Sequence, residues 1–186
     1  MKVRKTLAVS LLCLCALSCS AWADEGYTQS IAKAVRLFMT DFMTDGAKAF
    51  TFDKKEGIFR ATLNAGGDLR MLGCVIGVGN GYFRSYIISP IGADPKDPAK
   101  LAALSEFICR VNYGMKYGNF EMDFNDGEIR YKCFVDCEGR MDPSRELIEN
   151  SVMAGIEMTK QYFPGIKDVL FNGVSPKDAI EKCEKQ

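Results

Sequence analysis

Three strand-like runs in close succession constrain this chain more than any other feature. Ile58–Leu63, Arg70–Asn80 and Tyr82–Ile91 are rich in β-branched and aromatic residues, which suit a pleated, half-buried surface. Turn chemistry separates them: "EG" precedes the first, "AGGD" follows it, and Asn80-Gly81 joins the second to the third. Asn-Gly is a favoured two-residue hairpin turn, so the last two runs should be antiparallel neighbours. The middle run is apolar on both faces, with Leu72, Cys74, Ile76 and Val78 on one and Met71 and Val75 on the other. That pattern predicts a central strand covered on both sides, with Gly73 and Gly77 admitting a close neighbour.

The flanking segments are helical. In "YTQSIAKAVRLFMTDFMTDG", Ile31, Val35, Phe38 and Phe42 recur at helical spacing beside Ala34. Thr28 or Ser30 suits its start and Gly46 its end. Phe38, Met39, Phe42 and Met43 read either as core or as a contact surface. After Ile91, Asp97 caps and Pro98 opens a helix carrying Leu101, Leu104, Ile108, Val111 and Met115, with Gly118 as its stop. Cys109 falls off that stripe and is expected to be exposed. A hairpin follows, turning at Asn125-Asp126-Gly127. Phe120, Met122, Phe124, Tyr131, Cys133 and Val135 are expected to face the core and the alternating polar residues water. Asp142-Pro143 starts a further helix with Leu147, Ile148, Val152, Ile156 and Tyr162, ended by Pro164-Gly165. Two short helical pieces close the chain, Ile166–Phe171 and "SPKDAIEKCEK", the latter with Ser175 as cap and Ala179, Ile180 and Cys183 inward. The predicted fold is α+β, a single domain in αβββαββα order, with one antiparallel sheet packed with helices.

The N-terminus has its own logic. Lys2, Arg4 and Lys5 precede a 14-residue apolar run, Thr6 to Cys19, and Ala21-x-Ala23 offers small residues for cleavage. This is the pattern of a secretory signal peptide over residues 1–23, with the domain at 24–186 and the protein exported to the periplasm or outside the cell. An uncleaved anchor is one alternative. Lipidation at Cys19 is another: Ser18 suits it, while Ala16 stands where leucine is usual. Residues 1–23 hold three of the 24 Lys/Arg and none of the 24 Asp/Glu, so residues 24–186 carry a formal charge of −3. A mildly acidic domain without a basic stripe argues against nucleic acid. No later window is expected to span a membrane.

The residues offer little catalytic chemistry. The chain has no histidine, which removes the commonest general base and metal ligand. Glu121, Asp123, Asp126, Glu128 and Asp136 cluster at the hairpin. In an EF-hand register, however, Gly127 as sixth residue puts Met122 first and Phe124 third. Those carboxylates read instead as a solvated face paired with Arg130 and Lys132. Gly77, Gly79 and Gly81 precede a strand, whereas a phosphate loop opens a helix. Beyond residue 23 the cysteines are Cys74, Cys109, Cys133, Cys137 and Cys183, an odd number, which leaves at least one thiol free or paired between chains. Cys133 and Cys137 on one extended strand would sit roughly 13 Å apart, beyond the about 4.4–6.8 Å of a disulfide. No catalytic, cofactor-binding or metal residue is therefore assigned, and no cofactor.

The words "FICRVNYGMKYGNFEMDFNDGEIRYKCFVD" and "GVSPKDAIEKCE", in this order of elements, resemble the YbjN-domain family of bacterial proteins. The matching positions are Asn112, Gly118, the Phe120/Phe124 alternation, Gly127 and Ala179-Ile180. The resemblance implies a fold similar to type III secretion chaperones and a role in sensory transduction regulation, and brings no catalytic residues. The reading is an exported, non-enzymatic protein-binding module of the cell envelope, with an unknown protein partner or self-association. The alternative is a small-ligand sensor or carrier with an apolar pocket between sheet and helices. A thiol-dependent enzyme built on Cys109 or another free cysteine is a third.

Overall fold

Asn80 and Gly81 make the turn that their chemistry predicts. Strand β3 (Arg70–Gly79) hands over to β4 (Tyr82–Ile88) through Gly81 at φ 77°, a left-handed conformation that glycine adopts without strain. The structure, a computed structural model, describes residues 27–43, 49–138 and 142–185. The signal-peptide reading of 1–23 and Gly46 as a helix stop lie outside the described residues.

Around that turn the sheet grows by antiparallel pairing. β2 (Ile58–Gly66) lies beside β3, and β6 (Ile129–Asp136) beside β4. β5 (Asn119–Met122) forms one edge, and β1 (Phe50–Asp53) the other. The order is β1-β2-β3-β4-β6-β5. Helix α1 (Gln29–Phe42) precedes the strands, α2 (Pro98–Gly114) joins β4 to β5, and α3 (Arg145–Phe171) and α4 (Pro176–Glu184) close the chain. The fold is thus a single α+β domain on a six-stranded antiparallel sheet. No helix among the described residues is long and apolar enough to cross a membrane.

One strand was not expected. β1 has only four residues, too few for alternation to announce it. Phe50 and Phe52 hold it in place, their ring centroids 5.9 and 4.2 Å from that of Phe59 on β2.

The predicted caps form. Asp97 accepts a hydrogen bond from Lys100 N and Ser175 from Asp178 N, each satisfying a free amide of the first turn. Helix α2 ends at Gly114, before the expected stop at Gly118. Helix α3 starts at Arg145 behind Ser144, whose hydroxyl accepts from Leu147 N. It does not end at Pro164-Gly165 but runs on to Phe171, absorbing the segment expected as a separate piece. Proline removes one helical hydrogen bond. Burial of Ile166, Val169 and Leu170 beyond it keeps the next turns on the core.

Helices α1, α2 and α3 lie against one face of the sheet, and α4 packs on α2 and α3. α3 crosses β4 and β6, α1 packs on β3 and α3, and α2 packs on α3, α4 and β5. The closest approach is at Gly155, where a Cβ would lie 2.5 Å from Ile87 Cγ1. Buried Ser85 on β4 donates a hydrogen bond to the Ser151 carbonyl of α3 at 3.1 Å.

Two expectations are corrected here. Among the described residues helices cover β3 on one side only: Leu72, Cys74 and Ile76 are buried, while Met71 is 47% exposed. What packs closely over Gly73 and Gly77 is not a helix but the side chains of Ile88 and Arg84 from β4. Phe124 lies past the end of β5, in the turn, and is 60% exposed rather than in the core. Of the aromatic–methionine chain, Phe38 and Met39 are core, as one of the two readings had it, while Phe42 and Met43 are half-buried at its margin.

Candidate functional site

The uncovered face of the sheet is the most unusual surface of the molecule. Side chains alternate along a strand, so the residues of β4 and β6 that do not face the helices all point outward together. Tyr82, Arg84, Tyr86 and Ile88 come from β4; Arg130, Lys132, Phe134 and Asp136 come from β6, with Asp136 opposite Tyr82 and in no ion pair with Arg84. The register sets Arg84 opposite Phe134, Tyr86 opposite Lys132 and Ile88 opposite Arg130. On the other side, β3 presents Gly77 to Arg84 and Gly79 to Tyr82. With no Cβ in the way, these side chains lie down over β3. A Cβ on Gly77 would sit 3.3 Å from Arg84 Nε, and one on Gly79 only 2.1 Å from Tyr82 Cζ.

Arg84 therefore rests on glycine backbone with a tyrosine at each end. Its guanidinium carbon is 5.9 Å from the Tyr82 ring centroid and 6.0 Å from that of Tyr86, within range of attraction between a cation and an aromatic face. The Tyr82 ring meets Phe134 at 5.1 Å between centroids, and Phe134 is 54% exposed. Arg84 has no carboxylate partner among the described residues. Its Nε is shielded from water and has no acceptor, a missing hydrogen bond that costs about 1–3 kcal/mol.

The other two cations are already neutralised. Glu121 on β5 pairs with Arg130 at 3.1 Å and Lys132 at 2.5 Å, and Glu128 lies 3.7 Å from Arg130. The Arg130 guanidinium carbon also stands 4.4 Å over the Tyr86 ring. Partial burial of Glu121 pushes its carboxyl up, but the hydrogen bonds from Lys132 and Arg130 outweigh this and hold it below the ordinary 4.5. A depressed carboxyl stabilises the fold above its unfolded pKa, and that contribution is lost as pH falls through the folded value. Glu121→Gln is expected to flatten the stability profile below pH about 4.5, measured by urea unfolding at stepped pH. An unchanged acid limb would show that the pair contributes nothing.

The remaining hairpin carboxylates serve local turns. Asp123 accepts from Asn125 N, Asp126 from Glu128 N and Asp136 from Glu138 N. Among the described residues no three His, Cys, Asp or Glu side chains are grouped to hold a metal ion.

The thiols are mostly core. Burial pushes Cys74 up to about 12 and raises Cys133 and Cys183, the opposite of what a nucleophilic thiol requires. Cys133 is a free thiol, so no bond joins it to Cys137, and Cys109 is exposed on α2 as expected. Among the described residues two open hollows lie at the margins of the fold. One, of about 630 Å³, is bounded by Phe42, Phe50, Leu63 and Ile156. The other, of about 270 Å³, lies between Leu69 and Phe163 beside Asp68 and Lys167. Both open to solvent at the sheet margin.

Sequence reasoning placed Tyr82–Ile91 in a strand without marking its outward set as a site. The available signal was the period-two run Tyr82, Arg84, Tyr86, with glycines opposite it.

Residues 91–168 match the YbjN family, described as "Putative bacterial sensory transduction regulator". No curated protein matches the chain, and no solved structure does. Several of the positions that carried the resemblance have structural roles. Asn112 Oδ1 accepts from Phe120 N at 2.8 Å and Asn112 Nδ2 donates to Phe120 O at 2.9 Å. Gly118 is at φ 66°, where a Cβ would meet the Tyr131 hydroxyl, which itself donates to the Tyr117 carbonyl. Ala179 and Ile180 are buried under α3 and α2.

Proposed function

We propose, from the YbjN character of residues 91–168, that this protein is an exported regulatory module that works by binding another protein through its open sheet face, without catalysis. The observation that carries this reading is the uncovered face itself. Tyr82, Arg84, Tyr86 and Phe134 form a contiguous aromatic and cationic surface that no helix among the described residues packs against. Exposed aromatics and arginine are the residues that dominate protein–protein hot spots. A regulator needs such a surface, whereas an enzyme needs a cleft with perturbed acid or base groups. The titratable groups here shift for structural reasons, namely burial of thiols and pairing of Glu121.

Export is proposed from the basic head, the apolar run and Ala21-x-Ala23. Two measurements on the full-length gene product test the reading together. The mature N-terminus, read by mass spectrometry of the envelope fraction, should be Asp24; a chain retaining Met1 in the cytosol would overturn export. Mild cross-linking and affinity purification should recover a partner with the native chain and lose it with Phe134→Ser. A partner recovered equally by both would move binding off this face.

A further inference from the structure

We propose that Arg84 is a carboxylate receptor: the partner on the open sheet face presents an Asp or Glu side chain, from an extended segment, to the guanidinium held between Tyr82 and Tyr86. This rests on the protein-binding reading above and specifies the chemistry of that partner.

Three cations line the centre of the face, and two are accounted for. Arg130 and Lys132 share Glu121, and Glu128 adds to Arg130. Arg84 alone of the three has no acidic partner among the described residues. Its environment positions it in advance. Gly77 leaves a bed for it, the tyrosines bracket it, and its Nε is withdrawn from water with no acceptor. A guanidinium held this way has lost much of its rotamer freedom before any ligand arrives. Its rigid planar fork matches the two oxygens of a carboxylate, which the point charge of a lysine does not. A phosphoryl group is a poorer match, because its near-double charge calls for a cluster of uncommitted cations; among the described residues the other unpaired arginine of this face, Arg60, lies two strands away on β2.

The geometry also favours a polypeptide over a free acid. Among the described residues no helix packs over this face, and neither hollow described above is lined by Tyr82, Arg84, Tyr86 or Phe134. Phe134 lies directly across from Arg84 in the register and is exposed. In an extended segment, residues two apart repeat every ~6.6 Å on one side. An acidic residue and an apolar neighbour two positions away thus reach Arg84 and Phe134 together.

The test uses the native chain labelled with ¹⁵N-arginine and three end-capped peptides, Gly-Ser-Val-Glu-Val-Ser-Gly and the same peptide with Gln or Lys at the centre. The Glu peptide should shift the Arg84 Nε–H resonance saturably, and added salt should weaken the effect. The Gln peptide should bind about tenfold more weakly, the loss of one charge-assisted contact. Arg84→Gln should abolish the preference for Glu. Equal affinity for the Glu and Gln peptides, with shifts still confined to this face, would overturn the carboxylate inference and leave the protein-binding reading standing. No shift at Arg84, together with undiminished recovery of the cross-linked partner by Arg84→Gln, would overturn it as well. Loss of the cross-linked partner with Phe134→Ser but not with Arg84→Gln would do the same.

Discussion

Gly127→Ala is expected to lower the free energy of unfolding by about 2–5 kcal/mol, combining a left-handed backbone cost of roughly 1–2 kcal/mol with roughly 1–3 kcal/mol of overpacking. Gly127 sits at φ 74° in the β5–β6 turn. A Cβ there would fall 1.8 Å from the Ala93 carbonyl oxygen, and the reverse approach is as tight, with a Cβ on Gly92 only 2.2 Å from Gly127 O. The two backbones meet in a hydrogen bond from Ala93 N to Gly127 O at 3.1 Å. This bond fastens the segment leading into α2 to the hairpin. Gly67 supplies the control. It has φ 54°, and a Cβ added there would meet nothing within 4 Å, so Gly67→Ala should show the backbone cost alone. Urea unfolding of both variants separates the two contributions, and equal losses would refute the close approach.

Asn112→Ala should cost about 1–3 kcal/mol, since it leaves the Phe120 N–H without a partner and the Phe120 carbonyl with only the longer bond from Asn119 Nδ2 at 3.2 Å. β5 is an edge strand, and Phe120 turns its N–H and C=O away from β6. The Asn112 amide takes both, reaching from α2 and standing in for the absent next strand. Exposed edges invite pairing with other chains, so the same substitution should promote association, visible by light scattering at rising concentration. Asn112→Asp should be nearly as damaging at neutral pH, because a carboxylate can accept from Phe120 N but cannot donate to Phe120 O. Retention of full stability by the Asp variant would show that the bond to the carbonyl contributes little.

Where structure follows from chemistry within a few residues, it was readable in advance. The caps Asp97 and Ser175, the turns at Gly81 and Gly127, the exposure of Cys109 and the ion pairing of Glu121 all belong to that group. What escaped depended on contacts distant in sequence. Phe50–Asp53 becomes a strand because Phe59 receives its phenylalanines. Helix α3 passes Pro164 because the core holds the turns on its far side. Phe124 keeps the alternation of its strand on paper but lies beyond the last pairing with β6. The outward face of β3 reads as apolar and therefore covered, yet its cover comes from Arg84 and Ile88 of β4 leaning over glycines. The candidate site was hidden for the same reason: Tyr82, Arg84 and Phe134 become a surface only once β4 and β6, separated by an intervening helix and strand, lie side by side.

That adjacency bears on modularity. Of the five strand pairings, four join consecutive strands, and only β4 with β6 spans an intervening helix and strand. The family match begins at residue 91, after β4 has ended, and stops at 168 within α3. The matched stretch of this chain is therefore not a unit that can be cut out and expected to stand. Excised, it would carry a two-stranded hairpin whose longer strand has lost its seven-residue partnership with β4, and an α3 deprived of the Ile87 ridge against which Gly155 packs. Two-stranded sheets are marginal by themselves in water. The signature and the cooperative folding unit have different boundaries, and a boundary drawn for expression or domain exchange belongs before α1, not at residue 91.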